Sequence, residues 1–187
     1  MMDNMRLQTY KIMYEPATYL HISRSFGSYE QHSTAIRRIY NQFIIERFQL
    51  PMSIDFPIAE NTLANVIIRH WDILPKATWY IGCYFYSQAL VLTGRLDALP
   101  SELKAFLTLS ALYPNTTPCS LVLLDDAGLT RVGIASIDHI LTQYAPALAP
   151  RFRLLFPEDA CIKTDIPIFD LSPSLLKMVF NYATLPA

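Results

Sequence analysis

Between Pro75 and Thr93 the chain places aromatic and aliphatic side chains, Trp79, Tyr80, Ile81, Phe85, Leu90, Val91 and Leu92, on every side of a helical wheel. A helix without a polar face has to be surrounded by other elements. The most apolar stretch, Ala77 to Leu92, also carries Tyr84, Tyr86, Ser87 and Gln88, and it is shorter than the ~20 residues that cross a bilayer. It therefore predicts a buried helix at the centre of a helical fold, with no direct insertion into a membrane. Pro75 suits the first turn of that helix and excludes continuation from the one before it. Gly94 is placed to stop it.

The rest of the chain supplies the surroundings. Leu7 to Tyr14 reads as a short extended stretch leading to Glu15-Pro16, because a residue before proline avoids the helical region. Ser28 and Gln31 have capping-box spacing, and Ile36, Ile39, Tyr40, Phe43, Ile44 and Arg47 follow at helical intervals, predicting an amphipathic helix of about five turns. Gln49 to Pro57 reads as a proline-bounded loop. Asn61 is a candidate cap for a helix bearing Leu63, Val66, Ile67 and His70, and Pro100 to Leu112 gives another, with Leu103, Phe106, Leu107 and Ser110 on one side. Leu121 to Leu124, then Asp125-Asp126-Ala127-Gly128, then Leu129 to Val132 reads as two short strands around a turn. Ile137, Ile140, Leu141 and Tyr144 resume the helical period up to Pro146, and Leu148 to Leu155 adds a short helix closed by Pro157. After a loop to Leu171, Ser172 and Pro173 open a terminal helix bearing Leu176, Val179, Phe180 and Ala183. The expectation is a mainly α, compact, single-domain protein spanning residues 1–187, with a small β-hairpin near residues 120–132.

Charge and chemistry narrow the function. Apolar residues make up 52% and charged ones 17%, an apolar-rich balance that leaves surface for partners. Net charge is −1, and the 15 basic residues are scattered with Arg37-Arg38 the only adjacent pair, which argues against nucleic acid. The polar start, Met1 to Arg6, lacks the apolar run of a secretory signal, and three unpaired cysteines, Cys83, Cys119 and Cys161, suit a reducing cytoplasm. His21, His32, His70 and His139 show no HxxxH or CxxC grouping, so no metal site is expected. Five glycines form no phosphate loop, and Asp125 to Gly128 lacks the later ligands of a calcium loop. Glu15, Glu60 and Glu158-Asp159 sit beside prolines or helix starts, where acids cap. No cofactor is expected.

Three patterns, in order, resemble one known family. Glu15-Pro16-Ala17-Thr18-Tyr19-Leu20-His21 is similar to its acidic-Pro-x-x-Tyr-aliphatic-His or Asn element. Trp71-Asp72-Ile73-Leu74-Pro75, followed by Trp79-Tyr80-Ile81-Gly82-Cys83, looks like its W-x-x-L-P helix pair and aromatic-aliphatic-aliphatic-Gly continuation; Trp79 replaces the tyrosine of relatives and keeps a large aromatic. Leu148 to Pro157 contains Arg151-Phe152-Arg153-Leu154-Leu155-Phe156-Pro157, close to the ending R-F-x-L-L-F-P, and Leu99 to Leu107 fits between in the expected order. By these motifs the chain resembles the sorting-platform adaptor of bacterial type III secretion systems, the OrgA, MxiK and YscK family. The hairpin region and the residues after Pro157 match poorly.

That resemblance implies a non-catalytic cytoplasmic adaptor of the injectisome, peripheral at the inner membrane. It would link the pod protein of the sorting platform to the cytoplasmic domain of the inner-membrane ring protein, with stator and ATPase as indirect partners. The motif residues Pro16, Tyr19, His21, Trp71, Leu74, Pro75, Trp79, Gly82, Arg151, Phe152 and Phe156 serve either core or interface. Arg24, Arg37, Asp72 and Lys76, beside the motifs, are candidate contacts because arginine anchors with a polar rim typify interfaces. Two alternatives remain: a small thiol hydrolase using Cys83 or Cys119 with His70 or His139, and a type III secretion chaperone, for which an acidic chain is expected.

Overall fold

The computed structural model describes residues 2–25, 33–56, 62–110, 125–161 and 166–186, and among these there are helices and loops but no strand. In chain order the α-helices are α1 (Met2–Tyr14), α2 (Thr34–Arg47), α3 (Leu63–Arg69), α4 (Leu74–Phe85), α5 (Ser87–Leu92), α6 (Ser101–Ser110), α7 (Asp126–Tyr144), α8 (Ala149–Arg153) and α9 (Pro173–Ala183). Contacts divide the chain into two compact units. The first comprises Met1–Asp72 and Asp138–Ile162, the second Ile73–Ile137 and Lys163–Ala187.

In the first unit, α1 packs on α2, α3 and the 3-10 turn Pro16–Thr18. The segment expected to be extended is thus helical. Met5, Thr9, Ile12 and Met13 are buried at helical spacing, and the Thr9 hydroxyl donates to the Met5 carbonyl at 2.9 Å, so a polar group inside the apolar stripe is satisfied. The proline rule restricts only Glu15, which leaves the helical region at φ −122° and ψ 53° immediately after the helix ends. Helix α2 turns Asn41, Ile44 and Ile45 inward, whereas Ile36, Ile39 and Phe43 face outward, the reverse of what an apolar period suggests. Ser28, Gln31, Glu60 and Asn61 lie outside the described residues. Thr62 caps α3 by accepting from the Asn65 amide at 3.3 Å.

In the second unit, α4 is the centre, as its all-round apolarity predicts. Leu74, Ala77, Thr78, Tyr80, Ile81, Gly82, Cys83, Tyr84 and Phe85 are buried, and α5, α6 and α9 pack against it. The helix expected to run on to Thr93 breaks at Tyr86. Phe85 stacks on Phe169 at 4.1 Å and Tyr86 meets the same ring edge-on at 6.5 Å. The break thus falls where two consecutive aromatic residues meet one ring. Gly94 then takes the left-handed conformation, φ 70°, that ends α5. The Ser172 hydroxyl accepts from the Leu175 amide at 3.1 Å and Pro173 opens α9, as the sequence predicts.

The hairpin expected near residues 120–132 is not found. Residues 120–124 lie outside the described part, and Asp126 to Val132 are the first two turns of α7. The Asp125 carboxylate accepts from the Gly128 amide at 2.7 Å, which makes Asp125 the cap of a helix and not a corner between strands. The same short polar side chains serve turns and helix starts, so the local sequence is ambiguous. Tertiary contact decides it. A Cβ placed on Gly82 of α4 would overlap the Leu129 backbone carbonyl, and one on Gly133 of α7 would overlap that of Thr78. The two helices cross antiparallel, backbone against backbone, each supplying a glycine opposite the other.

Candidate functional site

The first and third motifs, together with Trp71 of the second, converge in the first unit. At the end of α1, Pro16 is buried and the Ala17 amide donates to the Asn41 side-chain oxygen of α2 at 2.9 Å. The Tyr19 hydroxyl donates back to the Ile12 carbonyl at 2.7 Å, while its ring meets Trp71 edge-on at 5.5 Å. Burial pushes the Tyr19 phenol above its ordinary pKa, with the charge of Arg151 opposing, so it stays a neutral donor.

Arg151 of α8 is fully buried. Its Nε and Nη2 donate to the Met13 carbonyl at 3.3 and 2.9 Å, and Nη1 donates to the Ala147 carbonyl at 2.8 Å. Met13 belongs to the last turn of α1, where carbonyls lack helical partners and the dipole favours a cation. The guanidinium therefore closes the C-terminus of α1 from a position more than a hundred residues later in the chain. Burial pulls the Arg151 pKa down, and Tyr19, Tyr14 and Asp55 oppose the shift. The same two segments are tied twice more: the His21 amide donates to the Leu154 carbonyl at 2.8 Å, and Arg24 Nε donates to the Phe156 carbonyl at 2.7 Å. His21 Nδ1 accepts from the Ser23 amide at 3.2 Å and so fixes the 3-10 turn that carries Arg24. Phe152 and Phe156 meet edge-on at 5.1 Å, and Arg153 forms two 2.8 Å bonds with the Asp138 carboxylate.

The remaining motif residues, Leu74, Pro75, Trp79 and Gly82, belong to α4 in the second unit. Leu74 is buried, Pro75 is an exposed first-turn residue, Trp79 lies edge-on to Tyr80 at 5.9 Å, and Gly82 is the crossing point with α7. Of the candidate contacts, Arg24 is engaged as above and sits 6.0 Å from the Phe48 ring. Lys76 donates to the Leu185 carbonyl at 2.9 Å and lies 3.9 Å from the buried Glu102 carboxylate. Arg37 and Asp72 are exposed. Sequence reasoning did not single out Asn41, whose only signal is a polar residue among the apolar positions of α2.

Cys83 and Cys161 are poorly disposed for nucleophilic chemistry. Cys83 is fully buried and its thiol is pushed up to about 12, by burial first and by Asp126 second, with Arg95 opposing. Half-buried Cys161 is also raised by burial and donates to the Arg153 carbonyl at 3.5 Å. A reactive thiol needs the opposite shift. His139 pairs with Gln143 at 2.9 Å, and Cys119 lies outside the described residues. Among the described residues, no three His, Cys, Asp or Glu side chains gather as metal ligands, and no helix is long and apolar enough to cross a membrane.

The motif cluster is thus a junction of backbone carbonyls, one buried and two partly buried arginines and aromatic edges, built to hold chain segments together. Comparison with known proteins agrees with the motifs that led here. A family model described as bacterial type III secretion apparatus protein (OrgA_MxiK) matches residues 9–185. The chain is 28% identical over 190 residues to the oxygen-regulated invasion protein OrgA of Salmonella typhimurium, in each of three strains, spanning 95% of this chain and 89% of the relative. No solved structure matches it. Since the family match takes in all three motifs and both units, the chain belongs to the OrgA_MxiK family of bacterial type III secretion apparatus proteins.

Proposed function

We propose that the protein is a non-catalytic adaptor of the injectisome, linking the pod protein of the sorting platform to the cytoplasmic domain of the inner-membrane ring protein. It would act at the cytoplasmic face of that membrane, with the stator and ATPase as indirect partners. The observation that carries this reading is the Arg151 junction in a type III secretion family member. The family's motif residues are spent on internal bonds to Met13, Ala147, Leu154 and Phe156, as in a body whose work is to keep its shape. A positional mechanism follows: a helical body presents surfaces to two partners and fixes their spacing. The thiol-enzyme alternative draws no support from Cys83, whose raised pKa disfavours the thiolate.

The test is co-purification with the pod protein and with the ring protein's cytoplasmic domain from the same gene neighbourhood. Complexes with both are expected. Binding to neither would sink the adaptor reading.

A further inference from the structure

Lys76 of α4 holds one ammonium between two acceptors. Its Nζ donates to the Leu185 carbonyl at 2.9 Å and lies 3.9 Å from Glu102 Oε1 of α6, beyond hydrogen-bonding reach. The acceptor left without a bond is the charged one. The Glu102 side chain is 8% exposed, its Oε2 accepts from the Ser101 hydroxyl at 3.2 Å, and Oε1 has no hydrogen-bond partner among the described residues. The hydroxyl of fully buried Tyr80 has none either, and Lys76 Nζ lies 5.7 Å from the centre of the same ring. Buried polar groups are nearly always bonded, so two exceptions beside one ammonium call for a physical reason.

The acceptor that Lys76 has taken belongs to a lightly held segment. After α9 ends at Ala183, the Thr184 hydroxyl donates back to the Phe180 and Asn181 carbonyls at 3.1 and 2.7 Å, and the Leu185 amide donates to the Tyr182 carbonyl at 3.2 Å. Beyond these bonds to the last turn of α9, the Lys76 bond is the one hydrogen bond among the described residues that ties residues 184–186 down, and the Leu185 side chain is exposed. Backbone held by so little opens at low cost. An ammonium on a flexible four-carbon stem can serve either acceptor. A bond between two charged groups is stronger than one to a neutral carbonyl, and a buried carboxylate gains most from it. The surface carbonyl and the buried carboxylate therefore compete for the same donor.

We propose that residues 184–186 form a releasable strap on α4: Lys76 closes it by holding the Leu185 carbonyl, and on release the ammonium moves inward by about 1 Å onto Glu102. The ion pair formed behind the departing strap offsets part of the bond lost in front of it, so the surface around Lys76 has two states. The inference stands apart from the adaptor reading.

The experiment is amide hydrogen exchange at Leu185 in the full chain, because the bond from that amide to the Tyr182 carbonyl breaks when the strap lifts. Urea midpoints of all variants are compared first. Lys76→Met removes the closing bond and is expected to lower protection of the Leu185 amide by about 10-fold. Glu102→Gln keeps the shape and removes the rival charge, and is expected to raise protection by about 10-fold. An ion pair that merely steadies Lys76 requires the opposite sign, since losing it would loosen the strap. Ser101→Ala, at an exposed position outside the strap, takes away the other donor of the carboxylate and is expected to lower protection by about 3-fold, which keeps the test decisive should Glu102→Gln fail to fold. Protection that is unchanged or lowered in folded Glu102→Gln would overturn the proposal. So would wild-type protection in Lys76→Met, or wild-type protection in Ser101→Ala.

Discussion

Arg151 carries a charge into the interior with backbone carbonyls as its hydrogen-bond acceptors. Replacing both members of a buried ion pair by apolar groups is often harmless, but here the acceptors belong to the main chain and cannot be removed. Arg151→Met leaves the Met13 and Ala147 carbonyls unsatisfied, and the expected loss is about 2–5 kcal/mol, read from the urea midpoint. Arg151→Lys should recover only part, because an ammonium lacks the planar fork that reaches both acceptors. The thiols give a second prediction. In a Cys119→Ser background, Cys161 should alkylate faster than Cys83, and both more slowly than free cysteine; rapid native labelling of Cys83 would reopen the thiol chemistry. His70 gives a third. Burial, helped by Arg69, lowers its pKa in the folded state, so below the ordinary value of about 6.5 the unfolded chain binds the extra proton and stability falls with pH. Above that value the effect vanishes, and His70→Asn should flatten the acid side of the stability curve.

Helices α4 and α7 show how an element can be misread locally and rescued by its neighbour. Gly→Ala inside a helix normally stabilises by up to ~1 kcal/mol. At Gly82 and Gly133 the added methyl meets main chain that cannot step aside, so each substitution is expected to destabilise by about 1–3 kcal/mol in thermal or urea unfolding. The double variant should cost less than the sum, since the first change already separates the helices. The sequence reveals α4 by its all-round apolarity and α9 by its Ser172-Pro173 start, because those signals are local. It conceals the start of α7, where Leu129 to Val132 suits a strand and only the approach of α4 selects the helix. It also conceals which face of α2 is inward, because both faces are apolar. At the motif junction the residue types were legible, yet their convergence was not: the acceptors at Met13, Leu154 and Phe156 are carbonyls, which every residue possesses and no sequence advertises.

Taken whole, the chain passes between its two units at residues 72–73, 137–138 and 162–163, the second time within α7. We propose that both units unfold together, as one domain. Trp71 lies in the first unit and Trp79 in the second, so Trp71→Phe and Trp79→Phe variants each leave one fluorescent reporter. Within each variant the fluorescence transition is expected to coincide with the loss of helix seen by far-UV circular dichroism, and a fluorescence midpoint apart from it would divide the protein into two domains. The junction that closes α1 has a further consequence during synthesis. The helix leaves the ribosome early, but the guanidinium that completes it is translated more than a hundred residues later, at the pace of about 5–20 residues per second. For those seconds α2 and α3 are already at hand to cover the apolar stripe of α1, while the Met13 carbonyl still waits for its native donor, so the first helix is made and packed with one end uncapped.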